Sequence, residues 1–167
     1  MVRSQLRLVV FALIITALLH GTVPAAARLA APQIEPQIGL VGQEGGASYA
    51  VALRGGYAYL GIGPRLAVVD ISAPATPALD GSSAPLPGIV QGLAVSGNYA
   101  YVVTGRSGLH IVDVTNASSP LGKGSLDTPG FAHSVAVAGT HAYVADSEGG
   151  LRIISISDAL APTQVAA

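Results

Sequence analysis

The hydrophobic residues of this chain fall in short runs, separated by segments rich in Gly, Pro, Asn and Ser. Near the C-terminus these runs lie at residues 121–126, 133–138, 141–145 and 151–157. Runs of this length, with branched side chains and tight turns between them, predict β-strands, and they lack the spacing of an amphipathic helix. Each stretch of about 42 residues therefore holds four predicted strands.

The same set of strands occurs in three copies along the chain. Residues 57–60 (YAYL) align with 99–102 (YAYV) and 141–144 (HAYV), at a spacing of about 42 residues. A period of this size, with four short strands in each copy, is typical of the blades of a β-propeller. The predicted units are residues 36–77, 78–119 and 120–161, followed by a stub at 162–167 that begins another unit.

Apolar residues on both faces of the predicted strands indicate that the sheets stack on one another. Residues 153–156 (IISI) show this pattern, whereas a sheet with one solvated face alternates apolar with polar residues. Two-residue turns led by Gly55, Gly97 and Gly139 are expected to reverse the chain with positive φ. The predicted fold is therefore all-β, with three four-stranded units of the β-propeller type.

One strand of each unit carries a shared motif. It reads LHIVDV at residues 109–114, LAVVDI at 66–71 and LRIISI at 151–156, where Ser155 replaces the aspartate of the other two copies. In this motif each unit resembles the LVIVD repeat, a bacterial and archaeal repeat taken to form a propeller-like sheet. The resemblance covers residues 36–162. It implies an exported or surface-associated scaffold, and it carries over no catalytic residue.

Three four-stranded units are too few to close a ring, which takes about four to eight blades. The units begin with an outer strand at residues 36–42 and end in the stub, so we expect the last blade to be incomplete. Three arrangements remain open. The chain is a piece of a longer propeller, or two copies form a homodimer that closes a six-bladed ring, or the units form an open arc.

Residues 1–27 have the features of a signal peptide. Arg3 and Arg7 precede an apolar run at residues 8–19, and the predicted cleavage site follows Ala27. As a helix this run is roughly 18 Å long, short of the roughly 30 Å hydrocarbon core of a membrane. We therefore expect a secreted or cell-envelope protein with a linker at 28–35, in contact with the membrane only through an uncleaved signal segment.

The composition excludes several classes of protein. Half of the residues are hydrophobic (50%) and 10% are charged, which excludes a disordered chain. The net charge of -1, with scattered basic residues, gives no footprint for nucleic acid. The absence of cysteine excludes disulfides, thiolate metal sites and a cysteine nucleophile.

Candidate functional residues fall into two groups. Asp70 and Asp113 recur at the end of the same strand, where a carboxylate is expected to accept N–H bonds from the following turn. The loops at 61–65, 103–108 and 145–150 vary most between units and share one predicted rim. The candidate contact residues in these loops are Arg65, Arg106, Ser107, Asp146 and Glu148.

The histidines and carboxylates of the third unit come nearest to the composition of a metal site. His133, His141, Asp146 and Glu148, with His110 from the second unit, are the residues nearest to such a set, but no ligand spacing supports it. The chain also has no nucleophile elbow and no phosphate-binding glycine loop. We predict no catalytic residue, no cofactor and no metal.

The functional prediction follows from the scaffold. An exported or cell-surface repeat protein of this kind is expected to bind a protein or carbohydrate partner through its rim loops, without enzymatic activity. The alternative is a fragment of an exported propeller hydrolase, or another enzyme, whose catalytic residues lie outside this chain.

Overall fold

The computed structural model describes residues 48–166, which fold into three four-stranded antiparallel sheets. Each sheet is a meander, in which strands adjacent in sequence are adjacent in the sheet. Sheet 1 contains β1 (Ser48–Arg54), β2 (Tyr57–Ile62), β3 (Arg65–Asp70) and β4 (Ala78–Ser82). Sheet 2 contains β5 (Gly92–Ser96), β6 (Tyr99–Val103), β7 (Leu109–Asp113) and β8 (Leu121–Leu126). Sheet 3 contains β9 (Ser134–Ala138), β10 (His141–Ala145), β11 (Leu151–Ser155) and β12 (Thr163–Ala166).

The prediction of an all-β fold with propeller-type repeats is confirmed. A short 3₁₀ helix at Ser147–Gly149 interrupts the strands, and among residues 48–166 no helix is long and apolar enough to cross a membrane. The predicted signal segment at 1–27, the linker at 28–35 and the outer strand at 36–42 lie outside the described residues.

The first hairpin of each sheet has the same register, because the same kind of two-residue turn connects its two strands. Gly55, Gly97 and Gly139 lead these turns with φ of 58°, 55° and 57°, a conformation that costs little only for glycine. The second turn residue has no positive φ, which explains why Asn98 and Thr140 replace Gly56 there.

The structural sheets are offset by one strand from the units read from the sequence. The strand at Leu121–Leu126 pairs with β7, and so it ends sheet 2 rather than beginning a third unit. The stub at 162–167 likewise supplies β12, which pairs with β11 and gives sheet 3 its fourth strand. A period fixes the length of a repeat but not its first strand, and so sheet 3 is complete where an incomplete blade was expected.

The sheets pack face to face through two hydrophobic clusters. Each sheet has a tyrosine face, which carries Tyr59, Tyr101 or Tyr143, and an aliphatic face, which carries Leu60, Val102 or Val144. The tyrosine face of sheet 1 packs on the aliphatic face of sheet 2. The tyrosine face of sheet 2 packs on the aliphatic face of sheet 3 in the same way.

Side-chain volume is exchanged between repeats at equivalent positions of these clusters. A Cβ on Gly61 would overlap a methyl carbon of Val90, so only glycine leaves room for this valine. In the next repeat Val103 and Ala132 take the same two places, and both are fully buried. The larger residue is thus in the connection between sheets in one repeat (Val90) and in the strand in the next (Val103), and the space between the sheets is filled in both.

Candidate functional site

The two rims of the sheet stack are built from different connections. The turn rim carries the β1–β2 and β3–β4 turns of sheet 1 and the equivalent turns of sheets 2 and 3. The loop rim carries the β2–β3 loops and the connections between sheets at 83–91 and 127–133. The residues predicted from sequence variation belong to the loop rim.

A groove opens on the turn rim where sheet 1 meets sheet 2. Its volume is about 480 Å³. The first hairpin turn of sheet 1, strand β4, and the two turns of sheet 2 at Asn98 and at 114–118 form its walls. The lining residues are Arg54, Gly55, Gly56, Tyr57, Tyr59, Asp80, Asn98, Val114, Thr115, Asn116, Ala117 and Ser118. We refer to this site as the turn-rim groove.

Strand β4 approaches the backbone of sheet 2 closely at one wall of this groove. A Cβ on Gly81 would lie 2.5 Å from the carbonyl oxygens of Ala117 and Ser118, so a side chain there would force the sheets apart. Next to this glycine, Oδ1 of Asp80 accepts a hydrogen bond of 2.8 Å from the hydroxyl of Ser118. This bond joins the two sheets and holds the carboxylate of Asp80 at the groove.

Carboxylate and amide side chains set the shape of the turn opposite. Oδ1 of Asp113 accepts a bond of 2.9 Å from N–H of Thr115, and Oδ1 of Asn116 accepts one of 3.2 Å from N–H of Ser118. These are Asx turns, in which a side chain replaces a backbone acceptor. In sheet 1, Asp70 accepts a bond of 2.8 Å from N–H of Ser72. Asp70 and Asp113 thus have the geometry expected of turn carboxylates.

The charges at the groove act on the phenol of Tyr57, which is part of its lining. The carboxylate of Asp80, together with partial burial and the charge of Asp70, raises the pKa of Tyr57 above its ordinary value. Since the ordinary pKa of tyrosine is already 10.0, the hydroxyl of Tyr57 is protonated in the neutral range and can donate a hydrogen bond. Arg54, at the end of β1, supplies the positive charge of the lining and is exposed to solvent.

The equivalent junction between sheets 2 and 3 carries different side chains. Lys123 stands at the position of Asp80 and forms an ion pair of 3.3 Å with Asp113, and Leu160 replaces Ser118. Arg54 corresponds to Ser96. The particular set of charged side chains at the turn-rim groove is thus a property of one junction and not of the repeat.

Sequence reasoning did not select Arg54, Asp80, Asn116 or Ser118 as functional residues. The signal that could have identified the first two is their departure from the repeat, in which Arg54 aligns with Ser96 and Ala138. Asp80 similarly aligns with Lys123 and Val165. That they share a groove depends on how two sheets pack, which no local pattern reveals.

The predicted contact residues of the loop rim lie apart from this groove. Arg106 and Glu148 are exposed, and Ser107 is half-buried. Arg65 is also exposed, but its guanidinium donates a bond of 2.7 Å to the carbonyl of Ser83 and so braces the connection from sheet 1 to sheet 2. Arg106, Ser107 and Glu148 therefore remain candidates for contact, each in a different loop or at a different loop position.

The prediction that Asp146 is a contact residue of the rim loops is wrong, because its side chain is buried. Its exposed fraction is 0%. Oδ1 accepts a bond of 2.6 Å from Thr128, and Oδ2 accepts one of 3.0 Å from N–H of Gly130. Arg152 Nε lies 3.5 Å from Oδ2 as an ion pair, without the geometry of a hydrogen bond. Asp146 therefore ties loops together and is not available to a partner.

The histidines considered for a metal site are separated by the fold. His133 precedes β9 on the loop rim, whereas His141 begins β10 at the opposite end of the same hairpin. The part of the chain that the structure describes contains no group of three His, Cys, Asp or Glu residues close enough to hold a metal. The ring of His133 instead lies against Phe131, with centroids 4.7 Å apart.

Three meander sheets that stack through equivalent faces define a repeat protein of the β-propeller type. The sequence model of the LVIVD repeat matches the chain three times, at residues 45–84, 87–128 and 129–166. The chain therefore belongs to the LVIVD repeat family, as its motif predicted. Each matched repeat contains one complete sheet, in agreement with the phase seen in the structure.

Comparison with solved structures supports the same fold. The chain is similar to the computationally designed Ika4 protein, with a TM-score of 0.61 and 13% identity over 74% of this chain and 73% of that one. It is also similar to the computationally designed Ika8 protein, with a TM-score of 0.57 and 15% identity over 72% of this chain and 39% of that one. Identities this low describe the fold alone. Comparison with curated proteins returned no match.

Proposed function

We propose that this LVIVD repeat protein is an exported, non-enzymatic scaffold that binds a carbohydrate in the turn-rim groove. The observation that carries the proposal is the groove's combination of size and lining. Its volume of about 480 Å³ lies in the range of small-ligand sites, roughly 300–1,000 Å³. A protein partner needs about 800 Å² of surface on each side, which favours the carbohydrate among the two partners predicted from the sequence.

The side chains of the groove suit a ligand with many hydroxyl groups. Asn98, Asn116 and Thr115 can each donate and accept hydrogen bonds. Tyr57 adds a protonated phenol and part of an aromatic ring, to which the apolar face of a sugar ring can pack. Asp80 and Arg54 supply one acceptor and one donor of charge-assisted bonds.

The same lining supports binding over hydrolysis. Glycoside hydrolysis ordinarily uses two carboxyl groups that flank the bond to be cleaved. The described lining includes one carboxylate, Asp80, and this residue is bonded to Ser118. We therefore assign the groove to recognition.

The binding proposal is tested by applying the protein to an array of neutral and acidic oligosaccharides. Arg54→Ala is expected to reduce the affinity for the bound sugars by at least about tenfold, the effect of one charge-assisted bond. The matched control is Arg106→Ala, which removes an equally exposed arginine from the loop rim. Binding lost in Arg106→Ala but retained in Arg54→Ala would place the site on the loop rim, and binding to none of the sugars would contradict a carbohydrate ligand.

Export is a separate part of the proposal and rests on the sequence of residues 1–27. The full chain is produced in a bacterial host with a periplasm, and the N-terminus of the mature protein is read by mass spectrometry. Cleavage after Ala27 gives a protein that begins at Arg28 and is recovered outside the cytoplasm. A cytoplasmic protein that retains its first residues would contradict export.

A further inference from the structure

Among residues 48–166, two sheet faces of the stack carry large apolar side chains that are more exposed than their equivalents in the other sheets. These are the tyrosine face of sheet 3 and the aliphatic face of sheet 1. The exposure of equivalent residues shows this directly. Leu66 and Leu109 are fully buried at 0%, whereas Leu151, at the same position of sheet 3, is 56% exposed.

The aliphatic face of sheet 1 shows the same loss of cover. Val135 of sheet 3 packs on sheet 2 and is 8% exposed, whereas the equivalent Val51 of sheet 1 is 62% exposed. Leu53 next to it is 68% exposed, although its equivalents Val95 and Val137 are packed against a neighbouring sheet. Exposed leucine and valine on one face of a strand favour association.

We propose that a second copy of this chain docks here, with its aliphatic face of sheet 1 on the tyrosine face of sheet 3. The contact continues an interface that the fold already makes twice, between sheets 1 and 2 and between sheets 2 and 3. The two surfaces are therefore complementary because each has the pattern that its equivalents use inside the chain.

The number of sheets sets the size of the assembly. The contact is head-to-tail, so it closes only when the rotations add up to a ring. Two copies of residues 48–166 bring together six sheets, which is within the range of about four to eight for closed propellers. Three copies would bring nine sheets and exceed that range. The assembly is a dimer with two identical interfaces.

Ala166 of sheet 3 determines which strands form the proposed interface. Gly81 and Gly124 allow strands β4 and β8 to approach the backbone of the following sheet, and Ala166 occupies the same position in β12. Because a Cβ at Gly81 or Gly124 would lie too close to the following sheet, we expect the methyl group of Ala166 to prevent an equally close approach of a partner to β12. The interface is therefore formed chiefly by the inner strands, around Leu151 and Tyr143 on one copy and Val51 and Leu53 on the other.

The test uses the full chain, with one charged substitution on each face. Leu53→Asp places a charge on the aliphatic face of sheet 1, and Leu151→Asp places one on the tyrosine face of sheet 3. Both leucine side chains are exposed in a single copy, so neither substitution buries a charge there. Leu160→Asp is the matched control, because Leu160 is 68% exposed in a turn that belongs to neither face. The mass in solution is measured by light scattering and sedimentation over a range of protein concentrations.

We expect a dimer for the unchanged chain and for Leu160→Asp. Each face variant is expected to raise the dissociation constant at least about a hundredfold and to run as a monomer. When the two face variants are mixed, they regain a dimer through one interface, since each supplies the face that the other has lost. This mixing also shows that both variants are folded.

Two results would overturn the proposal. One is a monomeric unchanged chain at every concentration tested. The other is a dimer that survives both substitutions, or in which one face variant stays dimeric alone and mixing adds nothing, because this indicates a contact between like faces.

Discussion

The hydroxyl of Thr128 donates a hydrogen bond of 2.6 Å to Oδ1 of Asp146, and both residues are buried. Thr128 lies in the connection that enters sheet 3, whereas Asp146 lies in the loop between β10 and β11 of that sheet. The bond therefore fixes the position of the incoming chain against the β10–β11 loop. A Cβ on Gly130 would collide with the carbonyl oxygen of Asp146, so glycine is required for this approach.

Removal of the Asp146 carboxylate is expected to destabilise the fold. In Asp146→Ala the hydroxyl of Thr128 and N–H of Gly130 lose their acceptor, and the largely buried guanidinium of Arg152 loses its ion-pair partner. We expect a loss of about 3 kcal/mol in the free energy of unfolding, as for other buried pairs that lose one partner. Urea unfolding followed by circular dichroism measures it.

The matched control for this variant is Glu148→Ala in the same loop. Glu148 is exposed, so its removal is expected to change the free energy of unfolding by less than about 0.5 kcal/mol. Equal effects of the two substitutions would mean that Asp146 does not join the loops as described.

The exchange of volume between repeats can be reproduced by mutation. Gly61→Val alone overpacks the cluster against Val90 and is expected to cost about 2 kcal/mol. Val90→Ala alone leaves a cavity and is expected to cost about 2 kcal/mol. The double variant copies the arrangement of Val103 and Ala132, so its cost should fall below the sum by at least about 1 kcal/mol. Strict additivity in a double-mutant cycle would contradict the packing described.

The strands were predictable from the sequence because their signals are local. Predicted runs at 133–138 and 151–157 correspond to β9 (Ser134–Ala138) and β11 (Leu151–Ser155), with differences only at the ends. Apolar runs and leading glycines such as Gly97 act within a few residues, and three copies reinforce each other. The family followed from the motif of a single strand.

The phase of the sheets and the groove could not be predicted in the same way. Whether the strand at Leu121–Leu126 pairs backward or forward depends on its contacts, and the period is the same in both cases. The groove brings Arg54 together with Ser118 from the next sheet. The burial of Asp146 depends on close approach of Gly130 and Gly149, which its position in a variable loop conceals.

The turn carboxylates are expected to contribute unequally to stability. Asp113 both accepts the bond from Thr115 and pairs with Lys123, whereas Asp70 accepts only the bond from Ser72 among the contacts described. Asp113→Ala should therefore lower the urea midpoint more than Asp70→Ala. The ion pair is partly exposed, so salt should reduce the difference between the two variants. An equal midpoint for both at low salt would show that the pair with Lys123 contributes nothing.

Asp70 and Asp113 also make the free energy of unfolding depend on pH in the acid range, which we call the acid limb of the stability curve. Hydrogen bonds from Thr115 and Ser72 lower the pKa of Asp113 and Asp70 below the ordinary 3.8. Their contribution is complete above that value and is lost as the pH falls through the lowered pKa of the folded state. The acid limb of the unchanged chain should therefore be steeper than that of the Asp70→Ala, Asp113→Ala double variant, and parallel limbs in urea unfolding would contradict this origin.

His110 is expected to add a second pH dependence at higher pH. It is buried in β7, and desolvation lowers its pKa below the ordinary 6.5, although a bond to the backbone of Ser107 and the charge of Asp127 oppose the shift. Nε2 has no hydrogen-bond partner among the described residues. The folded state therefore binds this proton less readily than the unfolded state does.

The sign of the His110 effect follows from that difference. Well above pH 6.5 the imidazole is neutral in both states and costs no stability, and as the pH falls through 6.5 the unfolded state takes up a proton first. The free energy of unfolding should therefore fall as the pH drops from 6.5 toward the lowered pKa of His110. His110→Leu should remove this slope, while His133→Leu, at an exposed histidine, should keep it. A slope that persists in His110→Leu would assign the dependence to another group, and urea titrations at a series of pH values decide between the two.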